Sequence, residues 1–168
     1  MVSIVNELSR EVYLVQNPAI GAAILWRFVC GYYDSDNESR QVPFPLLFVV
    51  LPIIFREDLR DVISSTNKPS GLQKVSEKLF ASKQADLFCG IQNTAEQYKE
   101  TTLSAINIAV GANLISVSGK TALVIPIQTK TTRMPKSCEK LLKQAEKLGL
   151  WCSSLSLHEI STLLKVRF

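Results

Sequence analysis

The alternation of apolar and polar residues predicts a series of helices interrupted by one short hairpin. The segment Pro18–Tyr33 is apolar on nearly every side, so we expect a helix that is either central to the fold or clamped by a partner. Asn17 suits the N-cap of this helix, and the missing N–H of Pro18 costs nothing at the first helical position. Residues 45–55 are also apolar, and we favour a short helix bent near Pro52 over a buried strand.

Between residues 56 and 128, four helical patterns precede two short strands. The apolar runs 114–118 and 121–127 flank Gly119 and Lys120, which predicts a two-stranded hairpin. In a winged helix-turn-helix, helices are followed by a small hairpin in this same order, and the predicted hairpin would be the wing. The apolar helical positions are Leu59, Val62 and Ile63; Leu72, Val75, Leu79 and Phe80; Leu87, Phe88 and Ile91; and Leu103, Ile106, Ala109 and Val110.

The C-terminal part contains two further helical segments. Pro135 is expected to start a helix that Gly149 ends. Ser156 and Glu159 have the spacing of a capping box ahead of the last helix. One face of the first of these helices is apolar, and it consists of Leu141, Leu142, Ala145 and Leu148.

These patterns predict an α+β, mostly helical fold with a winged helix-turn-helix-like core. A chain of 168 residues fits one domain, and no long linker divides it, so we expect residues 1–168 to form a single domain. Within it we distinguish a helical N-terminal part (12–65), a winged-helix-like part (70–128) and basic C-terminal helices (134–168).

The chain is 46% hydrophobic, which is slightly high for a soluble protein of this size. Two interpretations remain open: the apolar residues make a dense core, or part of them is buried against a partner. Large aromatic side chains often anchor protein interfaces, but each is about as compatible with the core. The partner-interface candidates are Trp26, Phe28, Tyr32, Tyr33, Phe44 and Phe48.

No membrane span is predicted, and the cysteine pattern suggests a reducing compartment. Glu7, Arg10 and Glu11 interrupt the stretch that a signal peptide would need to keep apolar. The apolar runs 12–33 and 42–55 are broken by polar residues or prolines, which favours a soluble protein. Four widely spaced cysteines with a single histidine predict neither a zinc site nor a disulfide framework, but small buried side chains. We therefore expect a cytoplasmic protein without cofactors.

Positive charge is concentrated near the C-terminus. The chain has a net charge of +4, and residues 119–168 contain nine basic and three acidic side chains. At helical spacing, the lysines form a stripe about 16 Å long that could contact phosphates or an acidic protein surface. The candidates for this contact are Arg133, Lys136, Lys140, Lys143 and Lys147.

Motifs for catalysis are weak. Ser118-Gly119-Lys120-Thr121 has the end of a phosphate-binding loop, but Leu114 stands where that loop needs a glycine, and the segment joins two strands. His158 lies at an expected helix start with no nucleophile in a plausible motif near it. The sequence therefore predicts a protein that is not an enzyme.

Three blocks of the sequence resemble the middle component of bacterial three-component ABC systems. They are QNPAIGAAILWRFVCGYY (16–33), PFPLLFVVLPIIF with DLRDVISST (43–66), and KLLKQAEKLGLWCSSLSLHEISTLLKVRF (140–168). The resemblance implies a small non-catalytic subunit that acts with an SMC-like ABC ATPase and an effector, often a nuclease, as in Lamassu-type antiviral defence. It implies an adaptor that bridges the two and restrains the effector until foreign DNA is sensed.

Two functions from other classes remain as alternatives. A winged-helix transcriptional regulator would bind a specific operator, yet the expected recognition helix contains no lysine or arginine after Lys99. A small metal-independent hydrolase would need a polar cluster that the sequence does not suggest.

Overall fold

The computed structural model describes residues 17–34, 39–82, 86–130 and 136–168. In these ranges the chain is mostly helical with one small antiparallel sheet, which confirms the mostly helical α+β prediction. Short 3₁₀-helices span Phe44–Leu46 and Lys68–Ser70. The α-helices are α1 (Pro18–Tyr33), α2 (Leu47–Phe55), α3 (Glu57–Ser65), α4 (Gly71–Ala81), α5 (Asp86–Cys89), α6 (Ile91–Gln97), α7 (Lys99–Gly111), α8 (Lys136–Ser153) and α9 (Leu157–Leu164); the strands are β1 (Val42–Pro43), β2 (Ile115–Ser118) and β3 (Leu123–Pro126).

Helix α1 is the central element of the fold. It begins as predicted, with the Asn17 side chain accepting a hydrogen bond from the Ala19 N–H at 3.0 Å and Pro18 in the first turn. Every residue from 21 to 32 is buried. The helix packs most extensively against α8 and next against α7. The apolar character of α1 on all sides is therefore accounted for by contacts within the chain.

The small sheet joins distant parts of the sequence. The predicted hairpin is present: β2 and β3 pair antiparallel, with Ile115 opposite Pro126. Strand β1 pairs with the other edge of β3, with Val42 opposite Val124, so the order is β1-β3-β2. This third strand comes from the segment that the sequence assigned to the helical N-terminal part, so that part and the hairpin share one sheet.

Helix α2 confirms the helical interpretation of the apolar run around Pro52. All of its residues except Phe48 are buried, and Pro52 lies inside the helix. A proline in a helix removes one backbone hydrogen bond. Burial on almost every side supplies packing contacts that offset this loss.

Helix α8 continues past Gly149, so the prediction that this glycine ends the helix is wrong. Gly149 lies where α8 crosses α1, and a Cβ atom at this position would overlap the carbonyl oxygen of Phe28. A Cβ atom on Gly31 of α1 would likewise overlap the carbonyl oxygen of Glu146. These glycines are thus used for close contact between two helix backbones. The apolar face predicted for α8 is confirmed, because Leu141, Leu142, Ala145 and Leu148 are all buried.

Helix α9 is capped as the sequence predicted. The Ser156 hydroxyl oxygen accepts a hydrogen bond from the Glu159 N–H at 3.2 Å, and the Glu159 carboxylate accepts one from the Ser156 N–H at 2.7 Å. These hydrogen bonds from Ser156 hold the pKa of Glu159 below its usual value. The helix ends at Leu164, and Lys165, which follows it as the C-cap residue, adopts the left-handed conformation with φ 54°.

The apolar face predicted for α7 is partly wrong. Ile106 and Ala109 are buried as expected, but Leu103 and Val110 are exposed. The buried face instead includes Ala105, whose Cβ atom would lie 3.1 Å from a Cβ atom placed on Gly21 of α1. Close packing on α1 requires small side chains, so the larger apolar residues of α7 point outward. Phe80 of α4, also predicted on an apolar face, is 53% exposed.

The cysteine prediction is confirmed for two residues and corrected for two. Cys30 and Cys152 are buried, and burial raises the pKa of each thiol to about 12. Cys89 is exposed and Cys138 is half-buried. Within the described part of the chain, none of the four cysteines forms a disulfide.

The buried apolar side chains form one continuous cluster that includes residues of α1, α2, α8 and the sheet. None of the helices in the described ranges combines the length and the apolar content that a bilayer span needs.

Candidate functional site

A basic cleft of about 610 Å³ runs along α8. One wall is the outer face of α8, and the other is formed by Ser64 of α3 and the 3₁₀-helix that follows it. The sequence predicted the lysines of α8 as one stripe, and the structure adds a lysine from the opposite wall. The five lysines of the cleft are Lys68, Lys136, Lys140, Lys143 and Lys147.

Three of these lysines extend into solvent. Lys136 is exposed, and the side chains of Lys140 and Lys143 are 66% and 73% exposed. Lys140 lies 3.9 Å from a carboxylate oxygen of Asp61 on α3, which is a weak contact at an exposed site. Their positive charges are therefore available to a ligand in the cleft. Arg133, the remaining basic candidate, lies outside the described residues.

Lys147 is held in place by the end of α3. Its ammonium group donates a hydrogen bond to the Ile63 carbonyl oxygen at 2.8 Å and lies 5.1 Å from the centre of the Trp151 ring. A lysine at a helix C-terminus satisfies carbonyl groups that have no partner within the helix. Burial, with the nearby ammonium groups of Lys68 and Lys78, lowers the pKa of Lys147. Lys147 thus has a structural role and adds to a local excess of positive charge.

The two glutamates of the cleft are paired with basic residues. Glu139 accepts a hydrogen bond from Lys143 at 2.8 Å, one turn along α8. Glu146 forms an ion pair with Arg27 of α1, a residue whose side chain is largely buried. Arg27 also donates to the Thr129 carbonyl oxygen at 3.2 Å. The glutamates therefore reduce the positive charge of the cleft without cancelling it.

Gln144 lies at the base of the cleft and is 4% exposed. Its side-chain amide donates to the Arg60 carbonyl oxygen at 3.4 Å, while its side-chain oxygen has no hydrogen-bond partner. An unpaired buried acceptor carries a desolvation cost, which the folded chain bears at this position. Sequence patterns could not single out this residue, because its neighbours on α8 are ordinary helix formers.

The aromatic interface candidates divide into buried and half-buried side chains. Trp26, Phe28 and Tyr32 are 2%, 1% and 7% exposed, and the Trp26 indole N–H donates to the Gln128 carbonyl oxygen at 2.6 Å. Their burial favours a role in the core over partner contact, a choice that the sequence had left open. Tyr33, Phe44 and Phe48 are half-buried, and the rings of Phe44 and Phe48 contact each other edge-on at 5.6 Å. Their role as partner contacts stays a prediction.

A second surface lies on α7, and we call it the uncharged face: Leu103, Ser104, Asn107, Ile108 and Val110. Leu103, Ile108 and Val110 are 38%, 39% and 41% exposed. No residue from 101 to 119 has an ionisable side chain. Depletion of charge around exposed apolar side chains is typical of the centre of a protein interface. Helical periodicity had placed Leu103 and Val110 on the same apolar face as the buried Ile106 and Ala109, so this surface was not predicted from the sequence.

The two surfaces lie on different flanks of α1. Helices α7 and α8 both pack extensively on α1, whereas they make few contacts with each other. The uncharged face belongs to the outer side of α7 and the basic cleft to the outer side of α8. A partner on one surface would therefore leave the other accessible.

The two weak catalytic motifs remain at ordinary structural positions. Ser118 ends β2, and Gly119, Lys120 and Thr121 form the exposed turn of the hairpin, so no helix start is present to cradle a phosphate. His158 is exposed in the first turn of α9. Among the described residues, no group of three or more histidine, cysteine or acidic side chains could hold a metal ion.

The amino-acid sequence matches one protein family over nearly its whole length. The model of the family ABC-three component (ABC-3C) system Middle Component 3 matches residues 5–168. No curated protein and no solved structure matches the chain.

Proposed function

The chain belongs to the family of ABC-three component system Middle Component 3, and from this premise we propose that it is a non-catalytic adaptor subunit. It bridges an SMC-like ABC ATPase and a nuclease-type effector in a cytoplasmic defence complex of Lamassu type. It restrains the effector until the ATPase senses foreign DNA. Membership of a three-component system implies partner components, one of them an ABC ATPase.

The observation that carries the proposal is the presence of two chemically different surfaces on separate helices. The uncharged face of α7 offers exposed apolar side chains without charge, which suits a stable protein contact. The basic cleft of α8 offers exposed lysines, which suit an acidic partner or DNA. Since α7 and α8 are each supported by α1, one chain can hold two partners at once.

The winged-helix character belongs to the same proposal. Helix α7 leads directly into the β2–β3 hairpin, and β1 completes the sheet beside it. In a DNA-binding winged-helix protein, the helix at the position of α7 would supply basic or amide side chains to the major groove. Helix α7 has only Lys99 as a basic residue, at its first position. These residues favour a winged helix that contacts protein over a transcriptional regulator.

The test is co-expression of the chain with its genomic neighbours, with a tag on this chain alone. We expect the ATPase and the effector to co-purify with it at fixed stoichiometry. The double variant Leu103→Glu/Ile108→Glu places two carboxylates on the uncharged face, and we expect it to reduce recovery of one partner at least tenfold while the other is retained. Desolvating these carboxylates in an apolar interface is the physical reason.

The matched control for this experiment is Phe80→Glu. Phe80 is an exposed apolar side chain on α4, away from the uncharged face, so its replacement should leave both partners bound. A chain that emerges alone as a dimer and shifts a specific DNA fragment would contradict the adaptor function and support a regulator. If the double variant recovers both partners as well as the original chain does, the uncharged face binds neither of them.

A further inference from the structure

We propose that the basic cleft binds an extended acidic segment of a partner protein. This inference rests on the proposed function, because it names the chemistry by which one partner is held. The exposed lysines of α8 form one wall, and Lys68 approaches from the other wall. A segment lying between them would meet ammonium groups on both sides.

The charge of the cleft is not balanced within the chain. Lys147 is turned toward the carbonyl groups at the end of α3, and Lys68 and Lys78 lie near enough to disfavour its charged form. Lys136, Lys140 and Lys143 extend from the same side into solvent. Carboxylates placed in the cleft would relieve this repulsion between like charges, and the low exposure of the base would strengthen the attraction.

The dimensions fit a short extended peptide. From Lys136 to Lys147 the lysine stripe covers about 16 Å along the axis of α8. An extended chain advances about 3.3 Å per residue, so about five residues would span the stripe. Alternate side chains of such a segment point to opposite sides and could reach the lysines of both walls.

The chemistry of a peptide suits this cleft better than that of the DNA backbone. Besides carboxylates for the lysines, a peptide supplies backbone N–H donors for the carboxylates of Glu139 and Glu146, which also line the cleft. The phosphodiester backbone of DNA supplies acceptors alone. The described lining residues of the cleft include no aromatic side chain for stacking of bases.

The experiment measures binding of the full chain to three fluorescein-labelled probes by anisotropy. The probes are a six-residue peptide of alternating Asp and Glu, its uncharged counterpart of Asn and Gln, and a short DNA duplex. We expect the acidic peptide to bind more tightly than either of the others. The double variant Lys140→Gln/Lys143→Gln should weaken its binding about tenfold, since two partly screened charge pairs are lost.

A matched double variant serves as the control. Lys74→Gln/Lys120→Gln removes the same charge from exposed positions outside the cleft and should leave peptide affinity within about twofold of the original value. Circular dichroism confirms that each variant is folded.

Three outcomes would overturn the inference. They are equal affinity for the acidic and uncharged peptides, peptide affinity that is the same in the cleft variant and its control, and tighter binding of duplex DNA that depends on Lys140 and Lys143. Co-purification of both partners alongside any of them would leave the adaptor function intact and reject the acidic segment alone. Peptide binding at the cleft without co-purification would reject the adaptor function instead.

Discussion

At the scale of single residues, the contact between α1 and α8 depends on two glycines. A Cβ atom on Gly31 or Gly149 would overlap a backbone carbonyl oxygen of the facing helix, and a backbone cannot rotate away as a side chain can. We expect Gly149→Ala to lower the free energy of unfolding by about 3 kcal/mol, because the helices must move apart to admit one methyl group. Urea denaturation followed by circular dichroism at 222 nm measures this change.

Gly111→Ala is the matched control. Gly111 is also helical, but a Cβ atom there meets nothing within 4 Å. Alanine is the better helix former, so this variant should be as stable as the original chain or more stable by about 0.5 kcal/mol. Equal stabilities for the Gly149 and Gly111 variants would contradict the backbone contact described for α1 and α8.

At the scale of elements, the last helix depends on its capping box. Ser156→Ala removes the acceptor for the Glu159 N–H, and we expect the free energy of unfolding to fall by about 1 kcal/mol at neutral pH. The pKa of Glu159 is lower in the folded chain than in the unfolded one. The stability that its ionised carboxylate contributes to the cap is therefore fully present above the unfolded pKa and is lost as the pH falls through the folded pKa.

The Ser156 hydroxyl also donates a hydrogen bond to the Glu159 carboxylate at 2.8 Å, and Ser156→Ala removes it, so the destabilisation caused by this substitution should become smaller in acid. Thermal unfolding of both proteins at neutral and acidic pH provides the comparison. Thr162→Ala serves as the control, because Thr162 is an exposed residue inside α9 and takes no part in the cap. A cost that is unchanged in acid would show that the hydrogen bond between the Ser156 hydroxyl and the Glu159 carboxylate contributes nothing to stability.

Local sequence signals predicted the elements well where the signal is itself local. The N-cap at Asn17, the hairpin around Gly119 and the capping box at Ser156 are all present, because each depends on residues within one turn. The faces of α7 and the end of α8 could not be predicted in this way. They depend on how closely α1 approaches the two helices. Its approach requires a small residue on α7 where periodicity favours larger side chains, and a glycine in α8 where the sequence predicts a helix end.

At the scale of the whole molecule, α1 connects the parts that the sequence had distinguished. It packs on α7, α8 and β3, and the buried apolar side chains form one cluster. We therefore expect the chain to unfold as one unit. The two tryptophans report on this, because Trp26 lies in α1 and Trp151 in α8, and each is 2% exposed.

The measurement uses the single-tryptophan variants Trp26→Phe and Trp151→Phe. In each variant, the urea transition seen by tryptophan fluorescence should coincide with the transition seen by circular dichroism. Each substitution removes one indole hydrogen bond, to Gln128 or to Lys68, so both variants should be less stable than the original chain. A fluorescence transition that precedes loss of helix would indicate separate folding units.

The candidate site shows the same division between local and distant information. The lysine stripe of α8 was predictable because helical spacing places its members together. Lys68 was not, since it lies 68 residues before Lys136 and reaches the cleft only through the packing of α3 beside α8. The uncharged face of α7 was not predicted for a related reason: its apolar residues were assigned to a buried face, where the close approach of Gly21 of α1 favours small side chains such as Ala105.

The crossing of α1 and α8 also determines which relative motions the two helices can make. The neighbours of Gly31 and Gly149 all have side chains, so sliding by one residue, or turning either helix about its axis, would push a Cβ atom into the facing backbone. The packing of α8 against α1, the most extensive between any two elements of the described chain, also opposes a change in the angle between them. The glycines therefore fix the axial register of the two helices, and we expect α1 and α8 to move as one rigid body.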